Sequence, residues 1–562
     1  MVAPFKTKNV FDLTHNISFT CNATKLIPMM YEEVYPGDYF RDYDEIITKA
    51  QALIAPVYAQ FDIKTFYFFV PFRLVWKNWV SYITGGKYGN DSPNKDGSNP
   101  YVKPYVMLTN PAKNSLAAYL GAPCVQKFEI GQEEVTYKPG TYKMDAMPFR
   151  AIQLIWNEYF RDENLQDEVE ISLEDGEDKE VNTLELLTKC WERDRYTSAL
   201  PWPQRGDPVY LPLEVQAPVY GTGNTLLFAG RDMTETGLGA TVNGQIDNSP
   251  TLKINSFNSD QYPLKQGENL GNGATVGALY GTVGVATREQ LRYFTEKQDA
   301  NDVGLAADLT TATAVTPNQV RIAFQIQKFL YNSGRKGYRY VEQIQWLFGV
   351  RAPDASLQRP EFIGGGSSPL RISEVLQTSG TTSTGTPQSN RSGSAMGWMN
   401  KHGFTKRFDE YGMVIGFYCI MPRTVYQQGL NKMFSRETKY DYLVPTLSHL
   451  GMEAVKNKEL YVTGNTEVDD DIFGYQDRYD ELRHRENRVA GDFVDNLNYW
   501  TVTRKFQSTP ALNAQFVEAS MDKNIFAITD QTVDSFLVSI NHNMMAKRPL
   551  PRHGDPAYID HE

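Results

Sequence analysis

Cysteine is scarce. The 562 residues hold 4, Cys21, Cys124, Cys190 and Cys419, all far apart and never in a C-x-x-C pair. That excludes a disulfide framework and a structural zinc site and leaves reduced, mostly buried thiols, as suits assembly in a cytoplasm. Long apolar runs are also missing. No stretch reaches the ~18 residues a membrane helix needs, so no membrane insertion is expected. The N-terminal "MVAPFKTKNVFDLTHN" has no apolar core and reads as no secretory signal. A basic excess is absent too, since the formal net charge is −11. A chain with that balance does not neutralise nucleic acid by itself. The charge is lopsided: residues 161–180, "RDENLQDEVEISLEDGEDKE", carry ten acids and two bases. This segment reads as a solvated acidic loop. Neither it nor Asp469, Asp470 and Asp471 shows the alternation of a calcium loop, so no metal is expected.

Catalytic signatures are equally thin. There are 7 histidines and no H-E-x-x-H, and no G-x-S-x-G elbow. "GNGATVGALYGTVG" (271–284) lacks the Gly-Lys-Ser/Thr of a phosphate loop and reads as a surface loop. His484 in "ELRHRE" reads as a solvated helix residue. The carboxylates are too numerous to exclude a glycosidase pair, but nothing marks one out. The adjacent Glu32 and Glu33 of "YEEVYPGDYF" are poor candidates. Neighbours in an extended chain point to opposite faces, whereas acid/base work needs both carboxylates on one side. Pro36, Gly37 and Asp38 have turn chemistry instead and predict a corner between two strands.

Aromatics are abundant, with 33 Tyr and 29 Phe, beside 42 Gly and 30 Pro. This is strand and turn material. "FDIKTFYFFV" (61–70) begins with alternation and ends apolar on both faces, as a strand that finishes between two layers does. A helix follows, with Leu74, Trp76, Trp79 and Ile83 near helical spacing, stopped by Gly85-Gly86. A stronger helix is predicted over 147–160, with Ile152, Ile155, Trp156 and Tyr159 on one face. A short helix near 183–191 and a Pro-broken extended stretch around Pro201, Pro203, Pro208 and Pro212 come next. Residues 317–348 read as two helices, the first apolar nearly all round and buried. Residues 221–286 contain 12 Gly, 8 Thr and 7 Asn, and 378–397 are Ser/Thr/Gly-rich. Strands return at 413–421, continuously apolar, and at 534–541, where Phe536, Val538 and Ile540 alternate with more polar residues. Strands at both ends with helices and long loops between predict a mainly β fold, one sandwich with very large insertions.

The blocks "FDLTHNISFTCNATKLIPMMYEEVYPGDYF", "APVYAQFDIKTFYFFVPFRLVWKNWVSYITGG", "FRAIQLIWNEYFRDENL", "HGFTKRFDEYGMVIGF" and "FGYQDRYDELRHRENRVAGDF" occur in that order. Together they resemble the major capsid protein of the Microviridae, the small single-stranded DNA bacteriophages, in its gokushovirus branch. The resemblance implies an eight-stranded antiparallel jelly roll with long inter-strand insertions containing helices, and no enzyme activity or cofactor. It implies a virion subunit in a T=1 icosahedral shell, built from pentamers of itself around single-stranded DNA and assembled in the bacterial host cytoplasm. The implied partners are an internal scaffolding protein, a small basic DNA-binding protein, a minor pilot protein and a host surface receptor.

On this reading residues 1–84 hold the first strands and a helix. Residues 85–400 hold the insertions, with one or two core strands, and 401–562 hold the remaining strands and a tail. Pro36, Gly37 and Asp38 become a barrel corner. The tail "NHNMMAKRPLPRHGD" places Lys547, Arg548, Arg552 and His553 in an extended basic stretch as candidate DNA contacts. Residues 221–286, including Gly221, Phe228, Ile254 and Tyr280, become an outward protrusion where three subunits meet. Two other classes stay open: a carbohydrate-binding or surface β-sandwich, and a glycosidase on a β scaffold.

Overall fold

The computed structural model describes residues 8–130, 133–179, 185–207, 209, 219–221, 240–241, 256–257, 305–307, 317–337, 339–376, 391–528, 530 and 532–552. The chain forms two units, one of Met1–Arg205 with Tyr331–Glu562 and one of Gly206–Leu330.

The first unit is built on nine antiparallel strands: β1 (Asn9–Asp12), β2 (His15–Cys21), β3 (Ile27–Val34), β4 (Tyr39–Ala50), β5 (Phe61–Pro71), β6 (Glu361–Leu376), β7 (Arg391–Arg407), β8 (Gly412–Pro422) and β9 (Phe536–Arg548). Their hydrogen-bonded order is β1-β9-β4-β7-β6-β5-β8-β3, with β2 also on β9. β1 and β2 pair successive halves of β9 and act as one interrupted strand, which leaves eight in the sandwich. Consecutive strands β2, β3, β4 and β5 fall alternately toward the two ends of this path, the winding of a jelly roll. The chain termini do pair, through β9 between β2 and β4.

One core lies between the layers. Phe40, Ile46, Met399, Phe404, Val538 and Ile540 meet Ile27, Met29, Tyr67, Phe69, Val414 and Tyr418 there. Phe61 packs on Phe536 with ring centres 6.1 Å apart, and Thr48 and Tyr418 share a 2.6 Å hydroxyl contact across the layers. A second core covers the outer face of β5 and β8. α1 (Met147–Ile155), continued as a π-turn to Phe160, lays Phe149, Ile152, Ile155 and Phe160 on Phe68, Val70, Ile415 and Phe417. This two-sided burial explains the continuous apolar pattern of both strands. β8 is buried at every position. Burying one such large side chain is worth about 1.5–3 kcal/mol. A third cluster joins Tyr196 and Ala199 to Tyr426, Val455, Leu460, Phe473 and Phe516 in the insertion between β8 and β9.

The structure departs from the sequence reading in four places. Residues 185–191 are extended rather than helical, bridging to Lys25 and Glu518. The acidic segment is only partly solvated. Asp178 is buried on Arg150 at 2.7 Å, Asp175 accepts from the Trp76 indole at 2.5 Å, and Glu168 pairs Arg161 at 2.7 Å. The first of the two helices, α2 (Pro317–Lys336), is apolar but largely exposed, with Phe324 at 67% and Ile322, Ile326 and Phe329 also open. Apolar periodicity reports that a face needs covering and does not say whether this chain covers it. Finally, the supposed tail from 541 to 548 is barrel strand. The second helix, α3 (Tyr340–Phe348), lies where expected. Within the second unit the described elements include two short strand pairs, Val219–Gly221 with Leu305–Ala307 and Ala240–Thr241 with Ser256–Phe257.

Candidate assembly surface and buried polar groups

The corner after β3 turns as its residues dictate. Gly37 adopts φ +92°, and the Asp38 N–H donates to Tyr35 O at 3.0 Å. Asp38 Oδ2 accepts from the Tyr35 N–H and from Arg548 Nε, both at 3.1 Å. Burial raises the Asp38 carboxyl, while the Tyr35 N–H and Arg548 pull it back. Arg548 also donates to Glu33 O at 2.6 Å and lies over the Phe40 ring at 4.9 Å. The end of the last strand thus seals the first corner. Glu33 accepts from the Tyr35 hydroxyl at 2.9 Å, whereas Glu32, raised by burial, feels His15, Arg548 and His542. The two glutamates thus have different neighbours.

The DNA candidates therefore separate. Arg548 belongs to the corner, and Lys547 and Arg552 are exposed. His553 lies outside the described residues, as do Phe228, Ile254 and Tyr280; Gly221 ends a short strand.

Several large apolar side chains stand open in the β8–β9 insertion. Phe434 is 72% exposed and Leu450 67%, and Tyr440, Tyr442 and Leu443 are also open. The backbone beneath is fixed. Tyr479 Oη and Arg478 Nη2 both donate to Tyr440 O at 3.0 Å, and Arg436 stacks on Tyr442 at 5.1 Å. Arg436 is held in turn by buried Glu481 at 2.9 Å. Under it Arg195, almost wholly buried, bonds Glu459 at 2.9 Å with Asp480 and Glu481 at 3.8 Å. His484 is solvated as expected, its side chain 52% exposed, but it stands just past a 3₁₀ turn rather than in a helix, with Nδ1 3.0 Å from Asp480 Oδ1.

Sequence reasoning missed one buried group: Asp42 and Asp44 on β4 with His542 on β9. The signal was there. Phe40, Asp42, Asp44, Ile46 and Thr48 share one parity of a strand, so two acids occupy core positions.

A jelly roll that leaves large apolar side chains in solvent has the character of a structural subunit with contact surfaces. The chain belongs to the bacteriophage capsid family described as Capsid protein (F protein), which it matches over residues 3–558. It is 32% identical over 600 residues to "Capsid protein VP1" of Chlamydia phage 1, covering 98% of this chain and 95% of that protein. It is also 32% identical to "Capsid protein VP1" of Bdellovibrio phage phiMH2K over 563 residues, with the same coverage. To "Capsid protein VP1" of Spiroplasma virus 4 it is 27% identical over 568 residues, covering 97% of this chain and 94% of that protein. The expected kinship with the Microviridae and its gokushovirus branch is borne out. The family is structural and not enzymatic, which sets the glycosidase and carbohydrate-binding alternatives aside. Among the described residues no helix is long and apolar enough to cross a membrane.

Proposed function

We propose that this capsid subunit closes a T=1 icosahedral shell, built from pentamers, around a single-stranded DNA genome in the host cytoplasm. The observation that carries this is the fixed apolar surface of Phe434, Tyr440, Tyr442, Leu443 and Leu450, which one copy leaves in water. Interface centres are rich in such aromatics, and closed symmetry requires more than one kind of contact per subunit. An internal scaffolding protein, a small basic DNA-binding protein and a pilot protein complete the particle. With a net charge of −11 the shell leaves most phosphate neutralisation to the basic partner. Lys547 and Arg552, with His553 beyond, supply local contacts to DNA. Residues 221–286 project outward at the three-fold axis and meet the host receptor.

Co-expression with the scaffold tests the reading. Phe434→Asp with Leu443→Asp should leave a folded subunit that forms no closed particles. Normal particle yield from that double variant would overturn the assignment of this surface. A deletion of 221–286 that attaches and infects normally would overturn the protrusion's role.

A further inference from the structure

Asp42 and Asp44 point from β4 into the sandwich, and His542 points in from β9 directly opposite Asp44. All three are buried, Asp44 and His542 completely. His542 Nδ1 lies 2.6 Å from Asp44 Oδ1 and 3.8 Å from Asp42 Oδ2. By hydrogen-bond geometry both oxygens of Asp42 and Oδ2 of Asp44 lack a partner, although Asp42 stands close enough to Asp44 and His542 to act on both. Carboxylate oxygens left without protein partners in an apolar interior are costly. One imidazole cannot satisfy two carboxylates that face it from the same strand. The far side of that ring is already committed: Nε2 lies 3.3 Å from Met29 O. Nε2 therefore donates to Met29 O, and Nδ1 is the atom aimed at the acids. A ligating histidine held through its other nitrogen by a backbone carbonyl is the usual support of a metal site.

We propose that Asp42, Asp44 and His542 form a site for a divalent first-row transition ion, Zn²⁺ or Mn²⁺, inside the sandwich. One donor atom from each residue lies within 4.8 Å of the others. Zinc–oxygen and zinc–nitrogen bonds of about 2.0–2.2 Å span such a set once Nδ1 turns off Asp44. A mixed nitrogen and carboxylate set suits these ions, whereas Ca²⁺ and Mg²⁺ call for oxygen ligands alone. The ion replaces the Nδ1 proton, draws on the orphaned oxygens and balances the second carboxylate. It also ties β9 to β4 six residues before Arg548 closes the corner. The exposed His15 ring stands 5.0 Å from that of His542.

The test uses the full chain, stripped with a chelator and dialysed against Zn²⁺ or Mn²⁺. Elemental analysis should find roughly one ion per chain, and pulsed electron paramagnetic resonance on the Mn²⁺ form should show coupling to one imidazole nitrogen. Asp42→Asn, which keeps the shape, should weaken uptake about a hundredfold or more, comparable to losing a first ligand from a site whose outer partners alone are worth 10–100-fold. Should that variant fold poorly, the nitrogen coupling in the native chain decides. Uptake no greater than in Asp42→Asn, or bound Mn²⁺ without nitrogen coupling, overturns the site.

Discussion

Arg548 closes onto Asp38 with its Nε 3.1 Å from Oδ2, joining positions 510 residues apart. The last strand thereby locks the first corner. Asp38's side chain is wholly buried, so removing the arginine strands a carboxylate away from water. Arg548→Ala should destabilise strongly, and Asp38→Asn should soften that loss. A denaturation double-mutant cycle should return a coupling of about 1–3 kcal/mol. Additive losses would mean that the pair is incidental.

The same contact changes how the DNA proposal is tested. Neutralising Arg548 harms the barrel itself, so a drop in full particles would say nothing about DNA. Lys547→Gln with Arg552→Gln avoids the corner. This pair should leave empty-particle yield intact and lower packaged DNA or its resistance to salt, as loss of phosphate contacts does. Unchanged packaging removes both residues from the contact set.

His402 gives a pH dependence. It is buried on β7 with Nδ1 2.9 Å from Thr65 Oγ1 and Nε2 3.2 Å from Ser368 Oγ. Burial lowers its pKa from 6.5. The unfolded chain then takes the proton more readily, so this contribution is full above 6.5 and is lost as pH falls below it. Urea unfolding at pH 7.5 and 5.5 should show a smaller acid loss in His402→Gln than in the native chain. Equal losses would contradict the assignment. Gly366 explains the fit, since a Cβ there would stand 2.6 Å from the His402 ring. Gly366→Ala should cost about 1–3 kcal/mol through overpacking.

The thiols should react unequally. Burial pushes Cys419 up to about 12, Cys190 to about 11, and Cys21 well above its ordinary value. At pH 8 these hold almost no thiolate, the reactive form. Alkylation of the native chain, read by peptide mass spectrometry, should label the partly exposed Cys124 first. Rapid labelling of Cys419 would mean that the second core opens.

Much of the barrel was legible because its strands carry period-two or continuous apolar patterns: Phe61 to Val70, Met413 to Met421, and Phe536 to Ile540. The corner was legible from Pro36, Gly37 and Asp38 alone. Pattern could not show that β9 runs on to Arg548, because Asn541, His542 and Asn543 break the apolar alternation. His542 is inward yet polar, satisfied by partners nearly 500 positions away. α2 failed for a different reason. Its apolar face is real, but apolar periodicity does not say what covers a face, and here it stands open. Asp175 and Asp178 escaped notice inside a charged run because Trp76 and Arg150, which claim them, lie far off in sequence.

We propose above all that the open apolar residues between Phe434 and Leu450 are a subunit contact of a closed shell. Cryo-electron microscopy of particles assembled with scaffold and DNA tests it most directly. T=1 shells with Phe434, Tyr442 and Leu443 buried against a neighbouring copy are the expected result. A chain that stays monomeric under those conditions, or shells that leave these side chains in solvent, would contradict it.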